Sequence, residues 1–464
     1  MLAVMKIVRI LLRLVAGLVV LCLLLLVAVL VINRHDQPPS ASAISFGQLV
    51  ANRPAVPDAD NAYVYILGFD APADADPREI GAQRLQWLAT YSDTADAAKK
   101  DPLAEPLILR KAASAEASRV DQLCQADDRQ YCVEAFGPVA DNWRPTPIEQ
   151  LALARYQALL QYRAWREVVP MDLEAPLPPY SDIAHAQRLQ FLRLMSRARG
   201  VEPAEIRAAL QADFVYWRGA LASADGLIGK MIARSALRNH FFFANLVLKR
   251  VPADRVAACV PAGWDREITD EERKLDRALA GELASMERLL RDLEKGEGPG
   301  MDESTGEDRL SRRLLRRFGV PLYQPQHSIN AIADMFQAVT SGFDVPIDQY
   351  AAVAAKLAKS HEKWRSPVSL YNPVGEYIVG KYDIRDWIDY AIRPADFEGE
   401  RRLAVLVARL RARGVPPDGV GSEVLHAGLR NPFDGQPFEW DAGRNSVLFT
   451  SPGKNRFRQL ELFY

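Results

Sequence analysis

Chemistry-bearing side chains are sparse in this chain: its 464 residues hold six histidines and four cysteines. No His-Glu-x-x-His run is present, and Glu423-x-x-His426 is the one copy of a spacing that bundle carboxylate metal sites use in duplicate. A solvated helix end explains that pair more simply. No Gly-x-Ser-x-Gly elbow and no phosphate-loop sequence occurs; the glycines of KGEGPG (295–300) follow a charged helical stretch rather than a strand. Carboxylates are plentiful, but no spacing singles out two of them for glycan cleavage. No catalytic, cofactor or metal residue is assigned on these grounds.

Three segments have unusual composition: NAYVYILGF (61–69), LYQPQHSINAIADMF (322–336) and SLYNPVGEYIVG (369–380). Tyrosines and amides stand among apolar residues in them. Tyr323, Gln324, Asn330, Tyr371, Asn372 and Tyr377 are therefore the candidate binding surface, where aromatic faces and amides hold a ligand. The commoner use of such residues is structural. Ser328 can cap a helix, and Asn372-Pro373 can open a turn.

Cys124 and Cys132 lie eight residues apart in a polar stretch and are the candidate disulfide. An oxidising compartment permits it, and the chain-entropy account values so short a loop at about 2.5 kcal/mol. Cys22 falls in an apolar run, and Cys259, in VAACVPAGW, reads as a buried thiol.

The elements that must position these residues begin with that run. Leu14 to Ile32 is 19 residues without a charge. As a helix it spans about 28 Å, one hydrocarbon core. Lys6, Arg9 and Arg13 precede it and the first acid is Asp36, so the positive-inside rule places the N-terminus in the cytoplasm and the rest across the membrane. A cleaved signal peptide would have a shorter apolar region with a small-residue site close behind; Ala41-Ser42-Ala43 starts nine residues past Ile32. The sequence thus divides into a tip and transmembrane anchor (1–33), a Pro-rich linker (34–57) that lifts the fold off the bilayer, a helical ectodomain (58–426) and a small β element (427–464).

The fold class is mainly α. The spacing predicts a helix of about six turns over Thr146–Val169, with Arg155, Arg163, Arg166 and Glu167 toward solvent. Further helices are predicted over Ser181–Arg199, from Pro203, and over Leu227–Arg250. The last is apolar all round at FFFANLVL and is placed centrally. Thr269 and Glu272 form a capping box. More helices follow at 307–318, 327–341, 347–364, 376–391 and 397–413. The last 35 residues read as a β-hairpin with a third strand within Arg456–Phe463.

NAYVYILGF with DPREIG, WRGALASADGLIGKMIA (217–233), YQPQHSINAIA, YNPVGEYI and NPFDGQPFEW carry a resemblance. Together they are similar to a recurrent group of proteobacterial single-pass, membrane-anchored periplasmic proteins to which no activity is assigned. The resemblance covers most of the ectodomain and implies location and architecture, not mechanism. NPFDGQPFEW (431–440) also resembles a D-P-[FY]-T-G-[KQ]-P-L-[RK]-Y ending of varied envelope proteins, departing from it at Asn431, Asp434 and Phe438.

Basic and acidic residues balance, 58 against 59, so nothing points to nucleic acid. The expected partners are the lipid bilayer, through Leu14–Ile32, and an envelope protein. The expected function is a non-enzymatic binding or scaffold protein of the bacterial inner membrane without a cofactor. The alternative is an envelope hydrolase acting on peptidoglycan or another glycan through paired carboxylates.

Overall fold

α1 (Leu2–Ile32) is one unbroken helix, as expected of a proline-free run dominated by Leu and Val. Its stretch Ile10–Ile32 is long and apolar enough to cross a membrane and stands clear of the rest of the protein. The computed structural model describes residues 2–91, 101, 106–124, 130–172, 175–295, 322–361, 369–453 and 458–464. The helix expected at 307–318 lies outside the described residues.

Among the described residues the rest is built mainly of helices as far as His426. α2 (Ala41–Ala51), α3 (Ala62–Leu67) and α4 (Pro77–Thr90) precede α5 (Ala115–Cys124) and α6 (Gln130–Asn142). Cys124 and Cys132 join α5 to α6 as a disulfide, with Cα atoms 4.7 Å apart. Next come α7 (Pro147–Leu159), α8 (Tyr180–Arg197), α9 (Pro203–Ser223) and α10 (Leu227–Lys249). α10 is the central helix. It packs on α8 and α9, and its Phe241, Phe242 and Phe243 are all buried. A helix surrounded on all sides has no face to leave polar, which is why FFFANLVL lacks amphipathic spacing.

α11 (Ala253–Cys259) and the single turn α12 (Asp270–Arg273) lead to α13 (Asp276–Lys295). The Thr269–Glu272 capping box is present, but the helix it opens stops after one turn and restarts at Asp276. α14 (Pro325–Gly342), α15 (Tyr350–His361), α16 (Pro373–Val379), α17 (Ile384–Ala412) and α18 (Pro417–His426) follow among the described residues. α17 also packs against α10. The sequence divides its span into two helices, yet it runs through Pro394 unbroken. Pro394 leaves the Tyr390 carbonyl without its helical donor, and the packing of α17 on α10 holds the helix continuous across it, with Arg234 of α10 donating to the neighbouring Arg393 carbonyl at 2.6 Å.

β1 (Glu439–Asp441), β2 (Ser446–Thr450) and β3 (Gln459–Phe463) form an antiparallel sheet in that order. Val447, Phe449, Leu460 and Leu462 are buried, and the sheet packs on α10 and α17.

Two expectations need correction. The helix predicted to Val169 ends at Leu159, and residues 164–168 lie outside any helix, with Ala164 bridged to Asn61. Asn61 captures that segment, donating to the Arg166 carbonyl at 2.9 Å and accepting from the Arg166 amide at 2.9 Å. Arg155 and Glu167 do not face solvent. Arg155 donates to the carbonyls of Phe69, Ala71 and Pro72, and Glu167 binds the amides of Asp225 and Gly226 at the start of α10. Residues 34–57 are likewise no free stalk. Ser40 caps α2, which packs on α13 and α14 with Phe46 buried against Phe336.

The core also encloses a polar chain. Tyr156 O–H donates to Asp213, His240 Nδ1 lies 2.7 Å from Asp213, and Trp264 Nε1 donates to His240 Nε2 at 2.9 Å. Because Nε2 accepts, the His240 proton sits on Nδ1 and goes to Asp213. All four side chains are buried, and none lines the cleft described below, so the arrangement ties α7, α9 and α10 together.

Candidate functional site

Two places bring unusual side chains together. The first is where α1 meets the body. Asn33 follows the last residue of α1 and is buried. Its Nδ2 donates to the carbonyls of Val29 and Leu370, both at 2.7 Å. Its Oδ1 accepts from the Asn372 amide at 2.6 Å, and its own carbonyl accepts from Gln324 Nε2 at 2.5 Å. Three residues on, Asp36 accepts from the amides of Gln326 at 2.6 Å and His327 at 3.0 Å. These are orphan donors in the first turn of α14, so a carboxylate from distant sequence caps that helix. Ser328 does not cap it; its hydroxyl donates to the Gln324 carbonyl. Asn330 then holds Pro38 and Ser40, at 2.9 and 2.8 Å.

Asn372 is the pivot. It adopts a left-handed backbone with φ 53°, and its side chain is fully buried. Its Oδ1 accepts from the amides of Gln324 at 2.7 Å and Gly375 at 3.1 Å, and its Nδ2 donates to Ser328 Oγ at 2.9 Å. Gly375 is required there, because a Cβ would sit 2.1 Å from the Asn372 amide nitrogen.

The six candidate surface residues thus do not form an open groove. Gln324, Asn330, Tyr371 and Asn372 converge on residues 33–40, with the Tyr371 hydroxyl donating to the His35 carbonyl at 3.1 Å. Tyr323 is buried and donates to the Leu290 carbonyl at 3.0 Å. Tyr377 is the one well exposed side chain of the six, at 69%. Amides collect here because irregular backbone next to a helix end leaves many N–H and C=O groups to satisfy.

The second place is a cleft of about 940 Å³ between the first turn of α10, α13, α15 and the N-terminal half of α17. α15 contributes Ala351, Ala354, Ala355 and Ala358, small side chains on one helical face that leave room beside it. Leu227, Ile228, Met286, Trp387, Ile388 and Ile392 supply apolar wall. Charge stands on the rim. Asp383 caps α17 and pairs with Arg385 at 2.6 Å, and Asp389 pairs with Arg393 at 2.6 Å. Arg393 lies 4.3 Å over the Tyr390 ring. Glu282 accepts from the Leu227 amide at 3.0 Å, and burial pushes its carboxyl above the ordinary range. Glu167 closes the same helix start from the other side, and burial pushes it up to about 7 against the pull of the Gly226 amide. The geometry suits a ligand with an apolar body and polar ends. Among the described residues, no three His, Cys, Asp or Glu side chains converge as a metal set.

Sequence reasoning missed this cleft. The alanine-rich run YAAVAAKLA was its visible signal, but only the fold sets that face opposite Trp387.

The chain matches no family model, no curated protein and no solved structure. Fold and site define its class: a mainly α-helical protein with, among the described residues, one membrane-length helix, N-terminal and tied to the body at its end through Asn33, and an apolar cleft in that body.

Proposed function

We propose that this is a single-pass protein of the bacterial inner membrane, N-terminus in the cytoplasm and body in the periplasm, acting as a non-enzymatic binding or scaffold protein. In this reading its cleft takes an apolar segment of an envelope protein. The observation that carries it is Asn33, whose buried hydrogen bonds fuse the end of the apolar helix to the body. An anchor so attached holds the cleft at a set height. α16 begins at the residue after Asn372 and spans about 10 Å, so the cleft rim at Lys381 lies close to the anchor.

Other features support the same reading. The basic residues before the apolar run favour an N-in orientation. A Cys124–Cys132 disulfide suits an oxidising compartment. Removing the leader at Ala41-Ser42-Ala43 would delete Asn33 and Asp36 from their buried partners. The carboxylates of the cleft favour binding over glycan hydrolysis: of the four, Glu282, Asp383 and Asp389 each serve a helix start or an ion pair, which leaves Asp386 without a second carboxylate to form a glycosidase pair.

Photo-crosslinking in cells tests it. A photoreactive residue at Ala355 or Trp387 should capture a defined envelope protein, and one at the exposed Tyr131 should not. Capture of nothing from either cleft position would remove the basis for the binding role.

A further inference from the structure

The polar clasp around Asn33 has an apolar margin. Leu370 and Tyr377 are large hydrophobic side chains exposed at 56% and 69%. The Leu370 carbonyl is hydrogen-bonded to the Asn33 side chain, and Asn33 directly follows Ile32, the end of the membrane-length stretch. Leu370 therefore sits at the level where hydrocarbon would give way to headgroups. Tyr377 projects from α16, whose start is held in the same clasp by Asn372, and Lys381 Nζ stands 4.5 Å over its ring. A tyrosine paired with a cation is amphipathic in the way that residues at membrane interfaces are. Arg34 and His35 lie exposed on the chain leaving α1, and the Tyr371 hydroxyl donates to the His35 carbonyl.

We propose that this face is a lipid-contacting footplate: Leu370 and Tyr377 enter the headgroup layer, and Lys381 and Arg34 meet lipid phosphates. The occupant is the bilayer because the patch is continuous with the helix that would cross it. A membrane-spanning α1 brings Leu370 to the interface through a single hydrogen bond. The inference rests on the reading of α1 as a transmembrane anchor, and it adds that the body rests on the membrane rather than standing off it.

The full chain in nanodiscs of phosphatidylethanolamine and phosphatidylglycerol provides the test. With Cys22 and Cys259 replaced by Ala, a fluorophore is attached at Leu370→Cys, Tyr377→Cys, Leu23→Cys or Tyr131→Cys; all four side chains are exposed, so the labels leave the core intact. Headgroup-nitroxide lipids should quench Leu370 and Tyr377 labels several-fold more than the Tyr131 label, and mid-chain nitroxides should quench the Leu23 label. If Leu23 is quenched while Leu370 and Tyr377 match Tyr131, the anchor stands and the footplate is overturned. If neither lipid nitroxide nor aqueous iodide reaches Leu370 and Tyr377, protein covers that face, and the proposal fails in favour of a second copy or a partner. An unquenched Leu23 would overturn the anchor reading and the footplate with it.

Discussion

At the scale of single residues, the polar groups that matter here are buried and carry structure. Replacing Asn372 by Ala strands the amides of Gln324 and Gly375 and puts a Cβ-bearing residue without local hydrogen bonds at φ 53°. Each buried donor left unpaired costs about 1–3 kcal/mol, so the variant should lose about 3 kcal/mol in urea unfolding, with little change in m. Asp396 makes a second case. Burial pushes its carboxyl up to about 7 against the pull of Arg234, 3.7 Å away. An aspartate in the unfolded chain ionises near about 4, so between these values the unfolded chain sheds a proton that the native state keeps. This group's contribution is complete below the lower value and is lost as pH rises through the upper one. Asp396→Asn cannot ionise. Its stability relative to the parent should therefore rise between pH 4 and pH 7, and denaturation at several pH values checks the sign. Sequence made Asn372-Pro373 legible as a local device. Asp36 was not legible as a helix cap, because its partners lie 290 and 291 residues away and no local pattern records them.

At the scale of elements, what was legible followed from local periodicity, and what was not followed from tertiary capture. The central α10 announces itself by its apolar run, the helix opened by Pro203 by that first-turn proline, and the closing hairpin by alternation and turn residues. The end of α7 does not, because Asn61 supplies the hydrogen bonds that draw 164–168 out of the helix. α17 misleads through Pro394, whose helix-breaking tendency is overridden by the packing of the helix on α10. Gly399 in the same helix permits the sheet to dock. A Cβ there would lie 2.2 Å from the Phe449 ring. Ala improves helix propensity by about 1 kcal/mol, while overpacking a core costs about 1–3 kcal/mol. The ring is held in β2, between β1 and β3, so the clash should win and Gly399→Ala should destabilise. Adding Phe449→Leu should recover part of the loss, and a double-mutant cycle on the two positions measures that coupling.

At the scale of the whole molecule, the question is whether the body moves on its anchor. A free linker would let it swing at its unpaired non-proline residues, even where prolines stiffen the rest into a semi-rigid spacer. Here the route from Asn33 to Ser40 is bonded at Asn33, His35, Asp36, Pro38 and Ser40 to α14 and to the turn before α16. Each bond contributes about 1 kcal/mol net, but together they remove the one joint at which the body would rotate. Spin labels at Leu23 on α1 and at Leu425 on α18 should therefore give a narrow distance distribution in nanodiscs. Asn33→Ala with Asp36→Ala should broaden it, because the junction loses its buried bonds while the core around α9 and α10 keeps every contact. The thermal transition of the body should shift far less than the distribution widens. A broad distribution in the parent chain would mean that the junction opens in the membrane, and the cleft would then sample many heights instead of one. A narrow distribution that survives the double variant would instead assign the rigidity to the packing of α2 on α13 and α14, with Phe46 against Phe336 as the next contact to cut.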